Sequence, residues 1–174
     1  MKKVRLADEI LDMINEMSIE VDLEKDDGNY TGDFEYKGLK FKISINLLSP
    51  IGREKIYMGE FTDDEGGYLL TDKFKELKVN PIVIVRTVKD SFLEVYKKEN
   101  LNLFFFKGRL GENSRISLYD KMSKMASKSL GIKHYSDSSV KTKQGLYKLY
   151  CIYNNEVLSE NEIKVIYEKV AKFI

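Results

Sequence analysis

The sequence predicts a single α/β domain over residues 1–174, with a mixed, mainly antiparallel sheet flanked by helices. Three observations predict it: period-two apolar runs between 21 and 64, helical apolar stripes over 114–130 and 160–174, and a continuous apolar run at 82–85 followed by 101–106 with its three consecutive phenylalanines, spaced as a β-α-β unit. Hydrophobic residues make up 43% of the chain and charged residues 33%, with 2 Pro and 11 Gly, which suits one folded core and excludes a disordered tail.

Ala7, Ile10, Leu11, Ile14 and Met17 recur at helical spacing, so a helix is expected over 5–18 with its apolar stripe turned to the sheet. From Val21 the period becomes two: Phe34 and Tyr36, then Phe41, Ile43, Ile45 and Leu47, then Ile56, Met58 and Glu60. A three-strand antiparallel meander over 21–64 follows, with Lys37-Gly38 as a tight hairpin, 49–52 as a longer turn and 63–67 as a polar corner. Residues 82–85, four apolar residues directly after Asn80-Pro81, predict a strand covered on both faces, at the sheet centre. Val88, Phe92, Val95 and Tyr96 predict a helix that ends at Glu99-Asn100, and 101–106 predicts a second buried strand, completing a β-α-β unit over 82–106.

Over 114–130, Leu118, Tyr119, Met122, Met125, Ala126 and Leu130 share one helix face, with Asn113 or Ser114 as cap and Gly131 as stop. Closing strands are expected at 132–135 and 146–153, and a helix over 160–174 opens on the capping box Ser159–Glu162. Its inner stripe is Ile163, Ile166, Tyr167, Val170 and Ile174.

Charges interrupt the first 18 residues, which excludes a signal-peptide core and a membrane span there. The one cysteine, Cys151, cannot form an intramolecular disulfide, so a reducing compartment, the cytoplasm, is expected. With His134 as the one histidine, a Cys–His dyad on neighbouring strands is geometrically open, but a buried, inert Cys151 is the expected state. Asp22, Glu24, Asp26, Asp27 and Gly28 have the composition of a calcium loop without its glycine at position six or its glutamate at position twelve, so an acidic turn is expected and no metal site. Residues 1–100 hold 16 Lys/Arg against 21 Asp/Glu, whereas 101–150 hold 10 against 3. Lys121, Lys124 and Lys128, at i, i+3 and i+7, give the helix a basic face flanked by Arg109, Arg115 and Lys133. Such a face is either solvated or a surface for a polyanion.

The element order resembles the GNAT-type acyltransferase fold, over about residues 20–153. In that family the fifth strand is followed by the pattern N-x-x-A-x-x-L-Y, which Asn113 and Leu118-Tyr119 resemble here, with Ile116 for the usual alanine. The resemblance implies an acyl-CoA-dependent N-acyltransferase using acetyl-CoA, with Tyr119 protonating the leaving thiolate and Asn113 near the thiol end. It places Arg86, Thr87 and Lys89 near the pyrophosphate, although the run 86–91 has no glycine where the family's loop is glycine-rich. It further implies a splay between the central strand and its neighbour, wide enough for the pantetheine arm. A second run, Phe106, Gly108, Ser114, Arg115, Leu118, Tyr119, Asp120 and Lys121, is similar to short uncharacterised proteins encoded by bacteriophages and some bacteria. That similarity implies the alternative: a non-catalytic accessory or anti-defence protein that binds a host protein or nucleic acid through the basic region 101–150.

Overall fold

A computed structural model describes residues 18–48, 50–63, 78, 80–109, 113–136, 140–142 and 145–174. The helix expected over 5–18 and the polar corner at 63–67 lie outside the described residues, apart from Ser18 and Asp63. The strands are β1 (Glu24–Asp26), β2 (Asn29–Tyr36), β3 (Leu39–Leu47), β4 (Tyr57–Asp63), β5 (Leu103–Arg109), β6 (Lys133–Ser136), β7 (Val140–Thr142) and β8 (Gly145–Tyr153). The helices are α1 (Pro81–Lys98), α2 (Asn113–Leu130) and α3 (Glu160–Phe173). The strands form one sheet in the order β1-β2-β3-β4-β5-β8-β6, with β7 also on β8, and every pairing is antiparallel except β4 with β5.

The expected mixed, mainly antiparallel α/β architecture is therefore present. Lys37 and Gly38 both take positive φ, 50° and 80°, the backbone a two-residue hairpin requires. Asp27 and Gly28 do the same at 49° and 84°, so the acidic run makes the β1–β2 turn and adds a short strand to the expected meander.

One expectation fails. Residues 82–85 are not a strand but the first turns of α1. Asn80 is the cap, its side-chain oxygen accepting from the Ile82 amide at 3.1 Å, and Pro81 occupies the first helical position, where its missing N–H has no consequence. The apolar run hid the helix because 82–85 span about one turn and carry only apolar side chains, while the polar face of α1, Arg86, Asp90, Glu94 and Lys97, begins only after them. The parallel partner of β5 is accordingly β4, and the crossover unit is β4-α1-β5.

Strand alternation divides the core between the two sheet faces. Tyr57, Phe61, Phe104, Phe106, Tyr150 and Ile152 meet α1 and α2 on one, while Met58, Phe105, Leu149, Cys151 and Tyr153 meet α3 on the other. Both ends of the later helices follow the expected chemistry. Gly131 ends α2 at φ 64°, with the Ile132 amide donating to the Ser127 carbonyl at 3.1 Å. Ser159 and Glu162 close the α3 capping box, the Glu162 amide donating to Ser159 Oγ at 3.2 Å and the Ser159 amide to Glu162 Oε1 at 3.3 Å.

Candidate active site

The two parallel strands part soon after they meet. β4 and β5 pair at Met58↔Phe105 and Gly59↔Phe106. Beyond that point β4 stays with β3 through Glu60↔Ser44, Phe61↔Ile43 and Thr62↔Lys42. β5 stays with β8 through Lys107↔Leu149, Gly108↔Lys148 and Arg109↔Tyr147. A wedge therefore opens toward the carboxyl ends of β4 and β5, the edge where open α/β sheets receive ligands. Past its apex, β4 groups that would bond β5 have no strand partner there among the described residues, which suits an extended, amide-bearing ligand.

Gly59 marks the apex. A Cβ there would lie 2.7 Å from the Phe92 ring and 2.9 Å from Phe104, so only glycine lets α1 settle onto the sheet at the last paired position.

On the α1/α2 side, aromatic rings floor the wedge. Tyr119 of α2 lies 5.6 Å from Phe61 of β4 and 5.8 Å from Phe106 of β5, centroid to centroid, and Phe106 stacks on Tyr150 at 5.1 Å. Tyr119 thus touches both parting strands while only 1% exposed. Its neighbour Asp120 accepts hydrogen bonds from Tyr150 Oη at 2.7 Å and Lys148 Nζ at 3.1 Å. Burial, and then the bond to Asp120, push the Tyr150 hydroxyl's pKa far up, so it stays protonated as a donor.

On the α3 side, Glu60 and Lys107 come first after the last paired residues and stand level across the wedge. Lys107 Nζ lies 4.9 Å from the Tyr147 ring centroid, a cation–π contact, and Glu60 is half-buried. Neither entered the sequence reading as a site residue. The glycine inside a strand pattern at Gly59 is the signal that marks this place in the chain.

The residues matched to the cofactor are distributed unevenly. Arg86, Thr87 and Lys89 lie in the second and third turns of α1, not at a strand–helix junction. Thr87 Oγ1 accepts from the Ile19 amide at 3.0 Å and donates to the Val83 carbonyl at 2.7 Å. Lys89 is buried and its ammonium pairs with Asp90 at 3.1 Å. Arg86 differs, for its Nε is buried with no hydrogen-bond partner. The α1 N-terminus is closed by its own cap, since Ile82 N donates to Asn80 Oδ1 and Val83 N to the Asn80 carbonyl at 3.1 Å. Asn113 is the first residue of α2, Arg109 the last of β5, and Arg115 lies in the first turn of α2. The family pattern sets its tyrosine seven residues after the asparagine and Tyr119 comes six after, a difference of about 100° around a helix. Lys121, Lys124 and Lys128 all project into solvent on α2, and none pairs with a described acid.

His134 and Cys151 form no dyad. His134 lies opposite Ile152 on the α1/α2 face, with Nδ1 3.2 Å from Ser127 Oγ, whereas Cys151 is wholly buried on the α3 face, where burial raises its thiol pKa. Among the described residues no cluster of His, Cys, Asp and Glu is arranged to hold a metal, and no helix is long and apolar enough to cross a membrane.

No protein-family model matches the chain, and no curated protein does either. Among solved structures the chain is similar to RimL, a ribosomal L7/L12 alpha-N-protein acetyltransferase in complex with coenzyme A. Identity is 9% and the TM-score 0.47, over 73% of this chain and 63% of that one, so this chain spans less than two thirds of that protein's length.

Proposed function

We propose that the protein is a GNAT-like, acyl-CoA-dependent N-acyltransferase whose acyl donor lies in the wedge between β4 and β5. The parting of that parallel pair after Gly59 carries the reading. The residues present fit such a donor in part. The unpaired backbone of β4 suits the amides of a pantetheine arm, and Arg86, with an unsatisfied buried nitrogen, suits a phosphate. Helical side chains lean toward the N-terminus, so an arginine in the second turn of α1 leans toward the end that Asn80 closes to backbone contact. Thr87 and Lys89 are engaged elsewhere and take no part.

Bound acyl-coenzyme A supplies an activated thioester carbonyl. Glu60, the first carboxylate past the apex, accepts the proton an attacking amine must lose. Tyr119, on the opposite side of the sheet, gives its proton to the departing sulfur. The new C–N bond replaces the C–S bond, and exchange with solvent restores both side chains. Placing base and acid on opposite faces keeps the two proton transfers apart.

Isothermal titration with acetyl-CoA tests the reading. Micromolar binding is expected, weakened at least about tenfold in Arg86→Ala, with Tyr119→Phe and Glu60→Gln each lowering kcat roughly 10²–10⁴-fold and leaving donor affinity in place. Absence of binding would overturn it.

A second reading rests on a separate observation: the α1 cap is closed, while Lys121, Lys124 and Lys128 stand exposed on one face of α2 with no ion pair among the described residues. That pattern suits a non-catalytic accessory protein, including one of bacteriophage origin, which holds a polyanionic host partner through 101–150. Its mark is affinity for single-stranded DNA whose logarithm falls linearly with log salt and which drops in the triple Lys→Ala variant.

A further inference from the structure

The acyltransferase reading leaves the acceptor undefined, and the α3 side of the sheet narrows it. α3 covers Met58, Leu103, Phe105, Leu149 and Cys151, whereas β2, β3 and the end of β4 carry no described helix on that face. Register sets their outward side chains in rows across the strands. One row is Thr31, Ser44 and Glu60, and the next is Asp33, Lys42 and Thr62. Strands lie about 4.8 Å apart, so the first row runs roughly 10 Å inward to the wedge.

Charges in the neighbouring rows balance, Asp33 lying across from Lys42 and Glu35 from Lys40. Within its row Glu60 has no such counterpart: it lies across from Ser44 on one side and the wedge on the other, where Lys107 holds its ammonium over the Tyr147 ring, and half-buried Glu60 makes no hydrogen bond or ion pair among the described residues. A carboxylate partly withdrawn from water without a partner favours a cation beside it. The two residues that lead to it are hydroxylated, and the row has no apolar side chain against which an alkyl group could be buried.

From this we infer that the acceptor is a small, hydroxyl-bearing primary amine, its ammonium on Glu60 and its hydroxyls on Ser44 and Thr31. The inference rests on the acyltransferase reading for its reaction but not for its binding, and the two fail separately.

Glucosamine, ethanolamine and butylamine are the probes, followed by ligand-observed NMR on the full chain with and without acetyl-CoA, and by thiol release. Glucosamine is expected to bind without acetyl-CoA and to be acylated with it, with butylamine at least roughly tenfold poorer, because sites that bond a hydroxyl reject analogues lacking one. Ser44→Ala and Thr31→Val should each raise the KM for glucosamine roughly three- to tenfold with kcat retained. Glu60→Gln should remove amine binding while acetyl-CoA binding persists. Equal use of butylamine, or an unmoved KM in both hydroxyl variants, would overturn the inference and leave the donor site standing. A peptide N-terminus accepted in preference to all three would also overturn it. If acetyl-CoA does not bind, the acyltransferase reading falls, and glucosamine binding that is lost in Glu60→Gln still decides the acceptor site.

Discussion

Glu99 ties the C-terminal end of α1 to the strands at the opposite end of the sheet from the wedge. One carboxylate oxygen accepts from Lys25 Nζ at 2.7 Å and from the Tyr30 hydroxyl, and the other pairs with Lys55 at 3.2 Å. Those donors, Lys25 first and then Tyr30, hold its pKa at about 2 against an ordinary 4.5. A depressed folded-state pKa stabilises the protein above the unfolded value, so this contribution is whole above about pH 4.5 and is lost as the pH falls toward 2. Glu99→Gln should cost roughly 1.5–3 kcal/mol at pH 7, with the gap to wild type narrowing as the pH is lowered through that window. Urea unfolding at stepped pH measures it, and equal stability at pH 7 would show that the exposed lysines contribute nothing. Ser123 behaves in the opposite sense. Its hydroxyl is buried in α2 without a partner, so Ser123→Ala should leave stability unchanged or raise it by up to about 1 kcal/mol in the same assay.

Among the elements, α1 and β4 set the geometry of the wedge, and each depends on one small residue. Gly59→Ala places a methyl group against the rigid rings of Phe92 and Phe104, for an expected loss of about 1–3 kcal/mol and a displaced α1. Asn80→Ala removes the α1 cap at a cost of about 1 kcal/mol, and it also frees first-turn amides at the end that Arg86 reaches, so acetyl-CoA affinity should hold or rise while stability falls. Thermal unfolding and titration on one preparation separate those effects. The elements that sequence chemistry made legible are those decided within a few residues: the Lys37-Gly38 hairpin, the Ser159–Glu162 box and the Gly131 stop. Residues 82–85 were not legible from periodicity, because they make one apolar turn ahead of the polar face of α1, which begins at Arg86. Asn80-Pro81, a cap followed by a first-turn proline, was the stronger signal and it lay directly before the run.

In the whole molecule, the site is a product of pairing between distant segments. Tyr119 could be singled out from its motif, and it does reach both parting strands. Glu60 and Lys107 could not, since what brings them level is the register of β4 on β5 across the α1 crossover, which neither strand's own pattern records. Arg86, Thr87 and Lys89 were grouped by where the resembled family's pyrophosphate loop falls, and tertiary packing separates them, committing Thr87 to Ile19 and Lys89 to Asp90 and leaving Arg86 with a buried donor. A donor molecule in the wedge would complete the sheet locally by occupying backbone groups that β5 leaves unpaired, so binding should rigidify β4 and β5 together and raise the unfolding temperature with the logarithm of ligand excess.

Backbone-amide NMR during titration with acetyl-CoA tests the central claim most directly. The account predicts saturable shifts concentrated at 59–63 and 105–109, with the Arg86 side-chain Nε signal moving alongside them. Saturating acetyl-CoA that leaves those amides unmoved, or shifts confined to the α2 lysines, would contradict it.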